Sequence, residues 1–588
     1  MSIELVSTTV GNPNTKRATT SCISYDNRNS RLVYPSGKTV ILRPIGKSQL
    51  SDNWVYTGHN SPVSVAKVSP SGFYVASGDD AGNVHIWDCS QPEMILKSQF
   101  QVLSGRINDL AWDADSNRII AVGNGNDKFG HCFTFDTGNS VGEISGHSSS
   151  INSVDIKPNR PYRAVTGGDD TNVVFFQGPP FKFVKSEKVV HNNFVKGVKF
   201  SKNGKYFVSV GADRVVGLFD GKEGDLIKNF DKLSNGGIYG VDWIDDESFV
   251  IASADATLKI VNAQDGLIVK EWSLEKKVEN QFLGCVVAGE LIAAVTLDGA
   301  LYLFEQTTND PIDIIYGHQG SITALSTNVD SNITGSYDGK LFQWSNSTAT
   351  PITGETHKGL IVDVVTVKDK SFTISWDDTL KVIKDNSLTT LSKFDRQPLG
   401  LRSNGINLYV LFDSELQVFS FSGELLSSYK FEYEASSFDI SKSFIVISDS
   451  KNFKVYIYNN NFDLINNSIV LRGKPTATSI SNGESYVAIG DSQGKILAYK
   501  LDDFSLFTSR WMFHTSKINS IDWDANDDNI VSGSLDTNII IYSVEKPAKN
   551  IKFLNAHKEG VNCVSWTGDA TIVTTGADAC VKHWKINF

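Results

Sequence analysis

Residues 490–494, Gly-Asp-Ser-Gln-Gly, have the Gly-x-Ser-x-Gly spacing of a hydrolase nucleophile elbow. That motif works chemically when the serine stands on a turn between a strand and a helix, near a histidine and an acid. Here the flanking segments YVAI and KILAY are both typical of strands. The corresponding turn at residues 78–82 has an aspartate where the serine would stand. We therefore interpret residues 490–494 as a hairpin turn, not as a hydrolase site.

The other residues with catalytic or metal-binding chemistry are spread along the chain. Residues 37–39, Gly-Lys-Thr, resemble the end of a phosphate-binding loop, but Leu32 occupies the position of its leading glycine. The 10 histidines recur mostly with the period of a repeat, and paired carboxylates such as Asp79-Asp80 lie in tight turns, where aspartate is favoured. This distribution predicts a protein that is not an enzyme, with no metal site and no cofactor.

Charge and cysteine usage narrow the classes of partner. The formal net charge is −11, and no cluster of lysine and arginine supplies the basic stripe that binding to nucleic-acid phosphates requires. The 6 cysteines form no Cys-x-x-Cys pair, which favours reduced thiols. No signal sequence or long apolar run is present. We expect a cytoplasmic protein that does not bind nucleic acid and does not insert directly into membranes.

A repeat runs the length of the chain. Its unit begins with a Gly-His pair, passes through short alternating strands and a tight turn containing aspartate, and closes on an aromatic residue. With degenerate copies there are about fourteen units at a spacing close to the ~40–45 residues of WD repeats. Because one ring usually has ~4–8 blades, the predicted fold is all-β, with two tandem seven-bladed β-propellers at residues 1–308 and 309–588. Residues 3–10 or 312–316 could supply the outer strand that the last blade needs.

The repeat also predicts a hydrogen-bonded network inside each blade. In WD repeats the aspartate of the turn orients the histidine of the Gly-His pair, and buried polar groups are thereby satisfied. We expect these residues to be structural, not catalytic. The residues assigned to such networks are His59, His318, Ser336, Asp338, Trp344, His557, Asp578 and Trp584.

Two segments depart from the repeat. One reads GPPFKFVKSEKVVHNNF and places Phe181, Phe183 and Phe194 among lysines, close to the acidic turn Asp169-Asp170. These aromatic residues either fill the gap between blades or form an exposed patch of the kind that anchors a protein partner. The other, residues 123–131, is an extended polar turn rich in glycine and asparagine, which is a plausible contact element on a propeller rim.

At these departures the sequence resembles the actin-interacting protein 1 family, the WD-repeat cofactor of cofilin. The matching stretches are DKFGHCFTFDTGNSVGEISGHSSSINSVDIKPNRPYRAVTGGDD, GPPFKF and PSGKTVILRPI, with DSQGKILAY in the more divergent second half. The resemblance implies a monomer with two seven-bladed propellers that binds actin filaments decorated by ADF/cofilin at cortical actin structures. It also implies that the protein promotes filament fragmentation and disassembly and caps the barbed ends created.

The resemblance further implies an actin/cofilin-binding surface on the first propeller. It carries acidic positions over to Asp127 and Asp169 and phenylalanine positions to Phe183 and Phe194, and Lys128 and Phe181 beside them are assigned to the same surface. Asp127 stands where the family has glutamate, and one extra residue separates Phe183 from Phe194. The alternative function is that of a general WD-repeat adaptor in another multiprotein complex.

Overall fold

The computed structural model describes residues 2–46, 53–328, 331–345, 348–568 and 570–587. Within them the chain forms fourteen β-sheets, which are the blades of two propellers, and the predicted all-β fold is confirmed. Contacts divide the chain into residues 12–319, the first propeller, and residues 1–11 with 320–588, the second propeller. No helix in the described part of the chain is long and apolar enough to cross a bilayer.

The chain begins with β1, Ser2–Thr9, which belongs to the last blade. The first propeller consists of seven four-stranded blades, with a 3₁₀ helix at Val278–Asn280 before the seventh. These are blade 1, β2 Ser24–Asp26, β3 Arg31–Ser36, β4 Thr39–Pro44 and β5 Trp54–Tyr56; blade 2, β6 Val63–Val68, β7 Tyr74–Asp79, β8 Asn83–Asp88 and β9 Leu96–Gln101; blade 3, β10 Ile107–Trp112, β11 Arg118–Gly123, β12 Gly130–Thr134 and β13 Ser140–Glu143; blade 4, β14 Ile151–Ile156, β15 Arg163–Gly168, β16 Val173–Gln177 and β17 Lys182–Glu187; blade 5, β18 Val195–Phe200, β19 Tyr206–Gly211, β20 Val216–Asp220 and β21 Leu226–Phe230; blade 6, β22 Ile238–Trp243, β23 Ser248–Ser253, β24 Thr257–Asn262 and β25 Ile268–Ser273; and blade 7, β26 Phe282–Ala288, β27 Leu291–Thr296, β28 Leu301–Glu305 and β29 Asp313–Ile315.

The second propeller has seven further blades, of which blade 9 has an additional short strand. These are blade 8, β30 Ile322–Thr327, β31 Asn332–Ser336, β32 Leu341–Ser345 and β33 Thr348–Pro351; blade 9, β34 Thr353–Gly354, β35 Ile361–Val367, β36 Lys370–Ser375, β37 Thr379–Lys384 and β38 Ser387–Lys393; blade 10, β39 Gly400–Ser403, β40 Leu408–Leu411, β41 Glu415–Phe419 and β42 Leu425–Lys430; blade 11, β43 Ala435–Ile440, β44 Phe444–Asp449, β45 Lys454–Asn459 and β46 Leu464–Val470; blade 12, β47 Pro475–Ile480, β48 Tyr486–Asp491, β49 Ile496–Lys500 and β50 Leu506–Trp511; blade 13, β51 Ile518–Trp523, β52 Asn529–Ser534, β53 Ile539–Ser543 and β54 Asn550–Phe553; and blade 14, β55 Val561–Gly568, β56 Thr571–Gly576, β57 Val581–Asn587 and β1.

Each propeller closes on itself through its innermost strands. In the first propeller β2 contacts β26, and in the second β30 contacts β55. The apolar core lies between the faces of neighbouring blades: one cluster joins Ile120 and Cys132 of blade 3 to Ile151, Val174 and Phe176 of blade 4. This packing follows from the period-two alternation of the strands, which gives every blade two apolar faces.

The boundary between the propellers differs from the one predicted at 308/309. The strand β29 pairs with β28 and is the outer strand of blade 7, so the first propeller continues to residue 319. At the other end, β1 pairs antiparallel with β57, from Ser2 opposite Asn587 to Thr9 opposite Val581. Of the two segments considered for the outer strand of the last blade, the N-terminal one therefore occupies that edge.

Antiparallel blades have two kinds of edge. The upper rim contains the turns between the second and third long strands of each blade and the connections to the next blade. The lower rim contains the other turns. These two names are used below for each propeller separately.

Candidate functional site

The repeated histidines form networks inside the blades. In blade 14, His557 Nδ1 lies 2.8 Å from Asp578 Oδ1 and its Nε2 lies 2.8 Å from Thr574 Oγ1, which also accepts a hydrogen bond from Trp584 Nε1 at 2.8 Å. Burial lowers the pKa of His557. Burial works to raise the pKa of Asp578, but His557 outweighs it and the pKa is lowered. Both partners are thus held within the blade.

Blade 2 has the same arrangement, with one shift in spacing. His59 lies 3.2 Å from Asp79 and 2.7 Å from Ser77 Oγ, and Trp87 Nε1 donates to Ser77 at 3.0 Å. The aspartate here is the last residue of the second strand, whereas Asp578 of blade 14 stands two residues after its second strand.

Blade 8 has the same bond between indole and hydroxyl as blades 2 and 14. The indole of Trp344 donates to Thr334 Oγ1 at 2.6 Å, whereas Ser336 Oγ donates to Asp338 Oδ1 at 2.5 Å. Thr334 stands on the adjacent strand opposite Phe342, so its contact with Trp344 is a diagonal one between two paired strands. His318 is fully buried, and it belongs by contacts to the first propeller.

One group of residues has the composition of a metal site. Ligand atoms of His59, Asp79 and His85 lie within 4.8 Å of one another. However, the two imidazole rings are stacked, with centroids 3.8 Å apart and planes at 16°. Rings in parallel planes cannot both direct an in-plane nitrogen at the same ion. His85 Nδ1 also bonds to Tyr56 OH at 3.0 Å, so this group is an extension of the blade 2 network.

The two acids of the blade 4 turn have different roles. Asp170 lies 2.9 Å from His147 Nδ1 and accepts a hydrogen bond from the Ser148 amide at 2.8 Å. Burial works to raise the pKa of Asp170, but these bonds outweigh it and the pKa is lowered. Asp169, the neighbouring residue, is not part of this network. It stands partly exposed on the upper rim of the first propeller.

Asp169 belongs to a small cluster that joins blades 4 and 5, which we call the Asp169 cluster: Asn152, Asp169, Phe194 and Lys196. Asn152 Nδ2 donates to Asp169 Oδ1 at 2.7 Å and to the Val195 carbonyl at 2.9 Å. Lys196 Nζ lies 3.6 Å from Asp169 Oδ1 and 4.9 Å from the centre of the Phe194 ring.

Phe194 is the exposed aromatic member of the Asp169 cluster, at 44% exposure. Its carbonyl accepts a hydrogen bond from the Ala212 amide at 2.9 Å, which fixes the backbone to the turn of blade 5. Burial lowers the pKa of Lys196, and Asp169 acts against this by stabilising the ammonium form. The cluster therefore presents one carboxylate and one aromatic ring in a fixed arrangement.

Asp127 and Lys128 lie in the turn between β11 and β12 of blade 3, which is also on the upper rim. The Asn126 amide donates to Ser104 Oγ at 2.9 Å, and the Asn124 amide donates to the Arg106 carbonyl at 2.8 Å. These bonds hold the base of the turn to the connection that precedes blade 3. Asp127 is exposed, and Lys128 is partly buried.

Phe183 and Phe181 have different environments. Phe183, on β17, is 48% exposed, and its ring lies against Gly146 in the connection between blades 3 and 4. Phe181 lies in the core between blades 3 and 4 with 2% exposure, so its assignment to an exposed surface is wrong. It immediately precedes β17, where the chain turns in towards the neighbouring blade.

The channel of the first propeller contains a cavity of about 550 Å³ with charged walls. Lys67 Nζ lies 3.4 Å from Asp109, and Lys199 Nζ lies 3.3 Å from Asp155. Both carboxylates also accept amide hydrogen bonds from the next blade: Asp109 from Val154 at 3.0 Å and Asp155 from Phe200 at 2.9 Å. These charges tie the blades together, and each acid already has partners.

Comparison with known proteins places the chain in a family. The model described as "WD domain, G-beta repeat" matches residues 51–88, 138–177, 184–220, 309–345, 507–543 and 548–585. Actin-interacting protein 1 of Drosophila melanogaster is 34% identical over 98% of this chain and 96% of its own length. Actin-interacting protein 1 of Caenorhabditis elegans is 33% identical, with 98% of each chain covered. The chain belongs to the actin-interacting protein 1 family. An uncharacterized WD repeat-containing protein of Schizosaccharomyces pombe is 40% identical over the whole of both chains.

Family membership confirms the resemblance found in the sequence, but two members of the Asp169 cluster were not predicted. Asn152 is the second residue of the innermost strand of its blade, and Asn108, Asn519 and Asn562 occupy the same position in theirs. Each of these asparagines donates to a backbone carbonyl of the next blade. Lys196 occupies that position in blade 5. Aligning the repeats by their innermost strands would have singled it out.

Proposed function

We propose that this protein binds actin filaments and works with ADF/cofilin to promote their fragmentation and disassembly. Capping of the barbed ends that fragmentation creates is part of the same proposal. The observation that carries it is the full-length similarity to two proteins named actin-interacting protein 1, which extends over both propellers.

The upper rim of the first propeller has the features that such contacts require. The Asp169 cluster presents a partly exposed carboxylate beside an exposed ring, and Asp127 lies at the equivalent turn of the adjacent blade. Phe183 adds a second exposed ring on the outer strand of blade 4, where it lies against Gly146 in the connection into that blade. Aromatic anchors held rigidly and surrounded by charges are typical of residues that contribute most of the binding energy at protein interfaces.

Disassembly follows if the protein binds the cofilin-altered filament more tightly than the bare filament. A ligand shifts an equilibrium only by its difference in affinity for the two states, so stronger binding to the altered state favours that state. A rigid rim suits this role, because its spacing matches one arrangement of subunits and does not adapt to another. Each tenfold difference in affinity between the two filament states shifts the equilibrium between them by about 1.4 kcal/mol.

The test is sedimentation of actin filaments with this protein, with cofilin, and with both. We expect soluble actin to rise well above the level given by cofilin alone when both proteins are present. If the protein neither pellets with cofilin-decorated filaments nor changes soluble actin, the proposal is refuted. The remaining function is then a general WD-repeat adaptor, whose partner forms a stable stoichiometric complex without actin.

Point variants separate binding from folding. Phe194→Ala and Phe183→Ala should each reduce disassembly, whereas Phe73→Ala should not. Phe73 is 45% exposed on the same propeller, but it lies in the β6–β7 turn on the lower rim. Asp169→Ala should reduce disassembly, and the exposed lower-rim residue Asp136 supplies the matched Asp136→Ala control. Equal effects of test and control variants would contradict the assignment.

Two further parts of the proposal concern the oligomeric state of the protein and its location in the cell. We expect a monomer in sedimentation velocity, and a fluorescent fusion concentrated at cortical actin structures. The fusion should leave these structures when filaments are depolymerised. Its retention there in the absence of filaments would show that another partner recruits it.

A further inference from the structure

The upper rim of the second propeller differs chemically from that of the first. In twelve of the fourteen blades the residue that follows the second long strand stands at the top of the turn, and its amide bonds to the connection that leads into the blade. Blades 2 and 4 have Asp80 and Asp169 at this position. Blades 13, 8 and 9 have the apolar residues Leu535, Tyr337 and Trp376 there. The same structural position is therefore acidic in part of one ring and apolar in part of the other.

These three side chains are exposed. Tyr337 is 61% exposed, Trp376 48% and Leu535 49%. Their backbones are fixed, because the Tyr337 amide donates to Ser321 at 2.9 Å, that of Trp376 to Leu360 at 2.9 Å, and that of Leu535 to Lys517 at 3.0 Å. Large apolar side chains on rigid backbone lose little conformational entropy when a partner covers them.

The three residues lie on one continuous arc, because blades 13, 14, 8 and 9 are consecutive around the closed ring. Blade 14 has the small residues Gly560 and Ala577 at the equivalent points, and the exposed Glu559 stands beside Gly560. A Cβ built on Gly560 would lie 3.1 Å from Leu535 Cδ1 and 3.2 Å from Leu535 Cα, so Leu535 packs against the connection into blade 14. We call Leu535, Ala577, Tyr337 and Trp376 the apolar arc.

The blades are also tied together directly beneath the apolar arc. Asn519 of blade 13 donates to the Val561 carbonyl of blade 14 at 2.8 Å. Asn562 of blade 14 donates to Ser321 and Ile322 of blade 8. The relative positions of the anchors are thus set by side-chain hydrogen bonds between successive blades.

The charges around the apolar arc are predominantly positive. Lys474 and Lys517 stand on the connections that lead into blades 12 and 13, and Lys358 stands on the connection into blade 9. Burial lowers the pKa of Lys517, and the nearby charge of Lys474 lowers it further, so these two ammonium groups are within electrostatic reach of each other.

Three acids of the same turns are directed inwards, where they bond to histidines, whereas Asp338 is exposed and Asp378 is partly exposed. Asp377 lies 3.1 Å from His357, and Asp536 lies 3.0 Å from His514. Asp578 bonds to His557 in the same way. Asp338 is near Lys340 at 3.9 Å, and the adjacent Lys558 and Glu559 cancel each other in charge.

We propose that the apolar arc is a second protein-binding surface, whose partner is an extended protein segment with aliphatic or aromatic anchors flanked by aspartate or glutamate. The anchors pack over the small residues of blade 14 between Leu535 and Tyr337 and cover the Trp376 ring. The flanking carboxylates meet Lys517 and Lys474 at one end and Lys358 at the other. This proposal concerns the second propeller and is independent of actin binding by the first.

The test is a selection of random phage-displayed peptides on the full-length protein. The selection is repeated on a triple variant with Tyr337→Ser, Trp376→Ser and Leu535→Ser. We expect peptides that bind only the unchanged protein to combine apolar anchors with acidic flanks. If no peptide distinguishes the two proteins, or if the distinguishing peptides are basic, the proposal is refuted.

Binding of a selected peptide is then measured by fluorescence polarisation. Trp376→Ser and the charge reversal Lys517→Glu should each weaken binding by about tenfold or more. Ile406→Ser is the matched control, because Ile406 is an exposed apolar residue of the second propeller on its lower rim, between β39 and β40. All the altered side chains are surface residues, so thermal melting should be unchanged. A variant that loses cooperative melting is replaced by its leucine counterpart, Tyr337→Leu or Trp376→Leu, which keeps the anchor apolar.

Two controls separate this proposal from its competitors. Asp169→Ala should leave peptide binding unchanged, so loss of actin binding and loss of peptide binding are distinguishable. Sedimentation velocity of the full chain and of the triple variant should show a monomer in both cases. If the unchanged protein self-associates and the triple variant does not, the apolar arc is instead an interface between two copies of this chain.

Discussion

Lys196→Met removes one charge from the Asp169 cluster and keeps most of the apolar volume of the side chain. In the structure Nζ of Lys196 lies 3.6 Å from Asp169 Oδ1 and 4.9 Å from the centre of the Phe194 ring. We expect the variant to fold normally and to be less active in cofilin-dependent actin disassembly. The reason is that Asp169 and Phe194 both lose the group that positions them.

The size of the effect follows from these two contacts. An ion pair between partly exposed side chains contributes about 0.2–1 kcal/mol. A cation over an aromatic face contributes about 0.5–1 kcal/mol at an exposed site. Together they reach about 0.7–2 kcal/mol, which corresponds to about three- to thirtyfold weaker binding. Folding stability should change little, because removing the largely buried ammonium also removes the burial cost that lowers the pKa of Lys196.

The assay is a double-mutant cycle on the concentration of protein that half-maximally increases soluble actin with cofilin present. Lys196→Met should reduce disassembly activity less in the Asp169→Asn background than in the unchanged protein, because the ion pair is already lost there. Lys228→Met is the matched control, since Lys228 Nζ lies 5.1 Å from the Phe230 ring on an outer strand of the same propeller. Strictly additive losses, or full activity of Lys196→Met, would refute the positioning role.

Three further predictions concern the fold that supports these surfaces. Gly146→Ala should destabilise the first propeller by about 1–3 kcal/mol in urea unfolding and reduce disassembly, because Gly146 has φ of 97° and a Cβ there would lie 2.8 Å from the Phe183 ring. Deletion of residues 2–9 should lower the melting temperature of the second propeller by more than about 5 °C in calorimetry and promote aggregation, because the edge of β57 is then unpaired. Asp522→Asn should remove a pH dependence of stability. Burial raises the pKa of Asp522 to about 6, so the carboxyl group ionises more easily in the unfolded chain, and the stability of the unchanged protein falls as pH rises from about 4 to 6. The free energies of unfolding of the two proteins should differ by about 1–3 kcal/mol at pH 7. We expect a value near the lower end, because the carboxyl is partly exposed and solvent screens its charge.

Each of these predictions has an outcome that contradicts it. If Gly146→Ala melts and acts like the unchanged protein, the Phe183 ring does not depend on close approach to residue 146. An unchanged transition after deletion of residues 2–9 would mean that β57 is stable as an edge strand. If Asp522→Asn and the unchanged protein show parallel pH profiles, the Asp522 carboxyl does not titrate differently on folding. Its acceptor role, a hydrogen bond from the Trp566 amide at 2.7 Å, is one that asparagine retains.

The repeat was readable from local patterns, and this accounts for what the sequence predicted correctly. Alternating strands, tight turns and closing aromatic residues recur with one period, so the number of blades and their division into two rings followed without tertiary information. The hydrolase-like segment at residues 490–494 was interpreted correctly in the same way, since it spans the end of β48 and the turn that leads to β49. The Gly-x-Ser-x-Gly spacing is a consequence of turn composition.

The candidate surface was only partly predictable. Phe181 and Phe183 lie two residues apart, beside the same prolines, and one is in the core while the other is exposed. A period of two would place both on the same face, but Phe181 belongs to the turn before β17 and not to the strand. The contact between Trp344 and Thr334 likewise depends on the register between two strands.

By itself the sequence determined the blade, because each blade is a local structure whose strands are joined by short turns. Only the tertiary structure decided which distant segments meet. Residues 2–9 close a blade whose other strands begin at Val561, and Lys196 pairs with Asp169 across the boundary between blades. The physical reason is that pairing at an open edge uses backbone groups that every strand possesses, so local composition does not distinguish one candidate strand from another. That choice is made by chain connectivity and by packing in the closed ring.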